Sequence, residues 1–178
     1  MTIKPPHTQI ISFTDAWMQD KANLKVVEIG VWRGANANFC LNRWGHAIKE
    51  WHLIDPYNYE TYHPVFLNDR SQDKAQAQAA VEFAKDKCVW VEDYSQNVVD
   101  TYEDGSIDFL YVDGNHSYEA VALDIALYYP KVKKGGLVVF DDFNEPEVKR
   151  AVVEFASTVN CVPHETTTGP SHAYLVKL

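Results

Sequence analysis

Five short, largely continuous apolar runs punctuate the chain: Lys25–Ile29, Trp51–Ile54, Cys88–Val91, Ile107–Val112 and Leu137–Phe140. Runs of this kind, without strict alternation, are the mark of strands covered on both faces of a parallel sheet. Between them the spacing becomes helical and predicts helices over Asp73–Lys85, Ser117–Tyr129 and Glu145–Thr158. In the last of these, Val148, Ala151, Val152, Phe155 and Ala156 fall on one stripe. A short helix over Ile10–Gln19 precedes the first run. The alternation predicts an α/β fold, a doubly wound sheet with its strand-to-helix turns on one carboxyl edge. Ligands of open α/β sheets bind at that edge. Near the end, two short strands at Cys161–Pro163 and Ala173–Lys177 flank a turn at Thr168-Gly169-Pro170-Ser171. The connection is too short for a crossover helix, so the last strand is expected to be antiparallel.

No repeat, linker or low-complexity tract divides the 178 residues, which read as a single domain, with residues 1–24 as a helical segment outside the motif core. The formal net charge of −9 repels phosphate backbones and anionic lipid, so neither nucleic acid nor a membrane is expected as a partner. Cys40, Cys88 and Cys161 are scattered and odd in number, as suits buried thiols in a reducing compartment. With no leader pattern and no apolar run long enough for a membrane span, the expected location is cytoplasmic.

Chemistry concentrates where the runs end. The first ends in Glu28-Ile29-Gly30-Val31-Trp32-Arg33-Gly34. Gly30 and Gly34 allow a sharp turn lying close to a ligand, or serve only the turn itself. Their spacing does not match the dinucleotide fingerprint, which weakens a nicotinamide oxidoreductase reading. The second run ends at Asp55, where a carboxylate can accept from both hydroxyls of a ribose or simply cap a turn before Pro56. The third ends in Glu92-Asp93-Tyr94-Ser95, polar groups that could meet an adenine. The fourth leads into Asp113-Gly114-Asn115-His116-Ser117-Tyr118 and the fifth into Asp141-Asp142. Neighbouring strand ends would bring Asp113, Asp141 and Asp142 together, and three close acids need protons, cations or a hard metal such as Mg²⁺. The alternative is that each caps a helix and faces water separately.

Taken together, Glu28-x-Gly30-x-x-x-Gly34, Asp55-Pro56, Asp113-Gly114-x-His116-x-Tyr118, Gly135-Gly136 and Asp141-Asp142 resemble the class I S-adenosylmethionine-dependent methyltransferases. Within them the chain is most similar to the small-molecule O-methyltransferase branch that includes macrocin O-methyltransferase-like enzymes. The similarity runs from about Val26 to Leu178, and its most specific part is the Asp113–Asp142 stretch. It implies a Rossmann-like, seven-stranded, mostly parallel sheet whose last strand is antiparallel, and S-adenosylmethionine as cofactor. The Glu28–Gly34 turn would lie on the methionine portion, Asp55 on the ribose, and Asp93–Ser95 beside the adenine. It also implies Mg²⁺ held by Asp113, Asp141 and Asp142 beside the acceptor hydroxyl, with Asp113 serving cofactor and acceptor sides alike.

The chain departs from that pattern at Asn115, where sugar-modifying relatives often carry a second aspartate as general base. An amide cannot take the proton, and His116 is the nearest substitute. The expected activity is methyl transfer to a hydroxyl of a small-molecule acceptor. The segments Tyr57–Asn68 and His164–His172 are within reach of the acceptor pocket, which a second subunit of a homo-oligomer could complete. A non-catalytic S-adenosylmethionine-binding protein and an aminopropyltransferase-type group transferase are the alternatives.

Overall fold

The computed structural model describes residues 8–58, 72–165 and 172–178. The chain runs α1 (Thr8–Met18), β1 (Leu24–Ile29), α2 (Ala35–Trp44), β2 (Ile48–Ile54), α3 (Asp73–Ala80), β3 (Cys88–Val91), α4 (Ser95–Val98), β4 (Ile107–Val112), α5 (Tyr118–Tyr128), β5 (Val132–Phe140), α6 (Pro146–Thr158), β6 (His164–Glu165) and β7 (Ala173–Val176). The strands form one sheet in the order β3-β2-β1-β4-β5-β7-β6. β1 to β5 are parallel, and β7 is antiparallel to both β5 and β6. The doubly wound sheet and antiparallel last strand expected from the sequence are both present.

Two apolar layers sandwich the sheet. Val27, Ile29, Leu110 and Phe140 pack with α5 and α6, whereas Val26, Phe109 and Val139 pack with α2 and the end of α1. α1 is fixed by Asp15, whose carboxylate accepts from Arg43 Nε at 2.8 Å and Trp44 Nε1 at 2.8 Å on α2. Helix starts follow local chemistry. Gly34 supplies the left-handed residue before α2, Ser117 caps α5 by accepting from the Ala120 N–H, and Pro146 opens α6.

Three elements differ from expectation. The helix predicted over Asp73–Lys85 ends at Ala80 and continues as a 3₁₀ turn over Glu82–Lys87, because the chain bends at buried Val81 to enter β3. β5 begins at Val132 rather than Leu137, its pairing with β4 interrupted between Ile107 and Phe109 where Gly135 takes a positive φ. The strand expected at Cys161–Pro163 forms instead at His164–Glu165. The Thr168–Ser171 turn, and all but Tyr57 and Asn58 of the Tyr57–Asn68 segment, lie outside the described residues.

The strand ends are locked in a common register. Gly30 donates its N–H to Ile54 O, Asp55 to Val91 O, Asp113 to Ile29 O and Asp141 to Val112 O, at 2.8–3.1 Å. Each residue that first leaves the sheet thus rests on the last carbonyl of the neighbouring strand. One row results.

Candidate functional site

On the β1 side of this row, Glu28 is fully buried and accepts from Asn36 Nδ2 at 3.2 Å and Trp51 Nε1 at 2.8 Å. Burial pushes its carboxyl up to about 8, against the pull of the Asn36 hydrogen bond. Gly30 has φ +84, and a Cβ there would lie 2.0 Å from the Asp113 carbonyl oxygen. Gly34 has φ +73, with Ala77 of α3 at 3.1 Å from the place of a Cβ. Packing therefore requires a glycine at position 30, whereas at Gly34 the left-handed φ is the stronger constraint. The turn between them is shaped by Asp55, whose Oδ2 accepts from the N–H groups of Val31 at 3.0 Å and Trp32 at 2.9 Å. Its Oδ1 accepts from the Tyr57 N–H at 2.8 Å, which leaves one lone pair of that oxygen among the described residues. Asp73, buried at the start of α3, accepts from Trp32 Nε1 and Arg33 Nε and anchors the far side of the same turn.

Past β3, Asp93 accepts from the Tyr94 N–H and Asn97 Nδ2, both at 2.7 Å, so it is engaged in local capping. Ser95 is buried, and its hydroxyl donates to Asp124 of α5.

The acids of β4 and β5 do not all meet. Asp113 and Asp142 converge on His116, one ligand atom of each lying within 4.8 Å of the others. His116 Nε2 is 3.5 Å from Asp113 and 3.6 Å from Asp142, and its Nδ1 is 3.3 Å from Glu145. Asp141 is turned elsewhere, which corrects the expected convergence of three carboxylates. Its Oδ1 lies 3.0 Å from His172 Nε2, and its Oδ2 accepts from the Tyr111 hydroxyl at 3.0 Å. The reason is strand alternation. Asp141 continues the face of Val139 and meets Tyr111, and the Phe140–Ala173 pairing sets His172 opposite it. Asp142 then takes φ +47 and swings its side chain to the other side.

The charges of the two groups still act on one another, since that of Asp141 raises both Asp113 and Asp142. Burial would raise the Asp141 carboxyl, yet the hydrogen bond and charge of His172 hold it below the usual range. Burial raises Asp113, partly relieved by His116, and burial with the Asp141 charge raises Asp142. His116 is pushed up to about 9, chiefly by its hydrogen bond to Asp113 and by the surrounding acids. Asn115 spends its side-chain oxygen on the Ser117 N–H at 2.9 Å.

Sequence reasoning overlooked Tyr111, Glu145, Asp73 and Asp124. Asp124 alone left a signal, a carboxylate on the apolar stripe of Val121, Ile125 and Tyr128.

The profile of a family described as a methyltransferase domain matches residues 27–143, more than half the chain. An uncharacterized protein of Acanthamoeba polyphaga mimivirus is 41% identical over 66 residues, which are 35% of this chain and 29% of that protein. The match thus spans less than a third of the relative. Among solved structures, the O-methyltransferase NovP superposes with TM-score 0.67 at 17% identity, over 95% of this chain and 79% of its own. An rRNA methylase from Streptococcus thermophilus gives TM-score 0.67 at 15% identity over 100% and 99%. A Streptococcus mutans protein solved in complex with SAH gives 0.67 at 13% over 100% of both chains. Likeness at such identities carries the fold and leaves the acceptor open. The matched span contains the whole row from Glu28 to Asp142, and by it the chain belongs to the class I S-adenosylmethionine-dependent methyltransferases.

Proposed function

We propose that the protein transfers the methyl group of S-adenosylmethionine to a hydroxyl of a small-molecule acceptor. One observation carries the reading: the glycine turn and the acid–histidine cluster are in backbone contact, since Gly30 leaves no room for a side chain beside the Asp113 carbonyl. A donor on the turn and an acceptor at the cluster are then neighbours, as in-line displacement at carbon requires.

The residues divide the work. The turn between Gly30 and Gly34, shaped by Asp55, holds the methionine portion, and the free lone pair of Asp55 remains for a ribose hydroxyl. Asp93 and Ser95 flank the adenine. Asp113 and Asp142 face the acceptor hydroxyl. Their geometry with His116 also fits a divalent cation, because Glu145 backs the second ring nitrogen as carboxylates do behind ligating histidines. Asp113, His116 and Asp142 would hold that ion. An imidazole in the set suits a borderline ion such as Fe²⁺ or Zn²⁺ better than Mg²⁺, which prefers oxygen ligands. When bound, the ion supplies a lowered acceptor pKa. Asp141, tied to His172 and Tyr111, holds the end of β7 against the site.

A small acceptor is favoured over RNA by the net charge of −9. The non-catalytic alternative draws only on Asn115.

The test is release of S-adenosylhomocysteine on incubation with S-adenosylmethionine and a panel of hydroxylated small molecules, with rRNA as comparator. Release should depend on a hydroxyl compound, fall after chelation and vanish in Asp113→Asn. Transfer to rRNA alone would overturn the reading. Full activity after chelation would remove the metal from it.

A further inference from the structure

α5 carries an inward-facing carboxylate that belongs to neither group of acids described above. Asp124 is 6% exposed and lies among Val121, Ile125 and Tyr128. Its Oδ1 accepts from the Ser95 hydroxyl, a bond across 29 residues of chain. Its Oδ2 lies under Gly114, 3.5 Å from where a Cβ on that glycine would stand. One turn further along α5, the Tyr128 hydroxyl donates to the Ser95 carbonyl at 2.9 Å. Ser95 is therefore gripped by its side chain and its main chain, both from one helix. The same carboxylate borders the space beside Gly114, the residue that follows Asp113. It spans the exits of β3 and β4.

A carboxylate buried beside apolar neighbours costs free energy that a purely structural position avoids with an apolar residue. What the carboxylate adds here is a fixed distance between two turns on the ligand edge. We infer that Asp124 is a positioning residue for adenine recognition, setting the β3–α4 turn against the Gly114 main chain so that the two form opposite walls for the base. The inference rests on the reading above that Asp93 and Ser95 border the adenine. Asp124 itself touches no ligand in this account and acts through Ser95.

The readout is discrimination between bases rather than affinity alone. Binding of S-adenosylhomocysteine and of S-inosylhomocysteine, in which a carbonyl replaces the adenine 6-amino group, is measured by calorimetry on the full chain. Wild-type protein should prefer the adenine ligand. Asp124→Ala should weaken that ligand on the order of ten-fold and bring the two affinities together. Asp124→Asn keeps an acceptor oxygen for Ser95 and should restore most of the preference. Ser95→Ala should lose it to the same extent, and the double variant should lose no more than either single one. If Asp124→Ala fails to fold, Ser95→Ala and Asp124→Asn carry the same comparison. A folded Asp124→Ala that keeps the preference, or that weakens both ligands equally, overturns the inference. Wild-type protein that binds both ligands alike overturns the adenine placement itself, and wild-type protein that binds neither overturns the cofactor reading.

Discussion

Gly30 and Gly34 look equivalent in sequence, and their surroundings make them unequal. At Gly30 an added Cβ meets main-chain atoms of Asp113 and Gly114 that cannot move without breaking β4's end. At Gly34 it meets Ala77 at 3.1–3.2 Å, where α3 can yield slightly. Gly30→Ala should therefore cost at least about 3 kcal/mol, and Gly34→Ala about half of that, compared by urea denaturation. Glu28 offers a second test. Its carboxyl is raised in the folded state, so its favourable contribution is complete below its ordinary value near 4.5 and is lost as pH rises to about 8. Glu28→Gln cannot lose a proton, but it leaves Asn36 or Trp51 facing an NH₂ group. The melting-temperature gap between wild type and Glu28→Gln should narrow steadily from pH 5 to pH 8. At this scale the sequence made the row of strand-end acids visible, because acids after apolar runs stand out. It could not tell Asp141 from Asp142. That distinction depends on one left-handed residue and on the register of β7, neither of which composition encodes.

Among the elements, the strands were the most legible, since an apolar run covered on both faces has few alternatives. β3 and β4 fall where the runs placed them. α2 was overlooked for a physical reason. Its buried positions Ala37, Cys40, Leu41 and Trp44 keep helical spacing, but Asn36, Asn38 and Asn42 interrupt the stripe as a reader sees it. Those amides have uses: Asn36 serves Glu28, and Asn38 donates to the Ala80 carbonyl at 2.5 Å, tying α2 to the end of α3. α6 was read correctly because its stripe is clean. Adjacent residues on it test how that stripe is used. Val152 is fully buried and Val153 is 44% exposed. Val152→Ala should lose about 2 kcal/mol and Val153→Ala under about 0.5 kcal/mol, read from the shift in denaturation midpoint at constant slope.

For the molecule as a whole, the acidic surface and the cofactor edge make separate predictions. S-adenosylhomocysteine at about a hundred times its dissociation constant should add about 2.7 kcal/mol, a rise of roughly 5–10 °C in melting temperature. An unmoved melting curve at millimolar ligand would contradict the cofactor assignment. RNA should give no such rise at any salt concentration. No helix among the described residues is long and apolar enough to cross a membrane.

The row of amides at the carboxyl edge has a consequence for how such a chain can change over generations. Gly30, Asp55, Asp113 and Asp141 each donate a main-chain bond to the neighbouring strand, whatever their side chains do. At Asp113 and Asp141 a different side chain can therefore be carried without moving the Cα, whereas Gly30 admits none beside the Asp113 carbonyl. Insertions are another matter: one extra residue in a central strand would carry the side chain at its end to the opposite face. The edge therefore tolerates exchange of chemistry and resists change of length. The fold shared with the Streptococcus mutans protein over the full length of both chains at 13% identity is compatible with such an asymmetry.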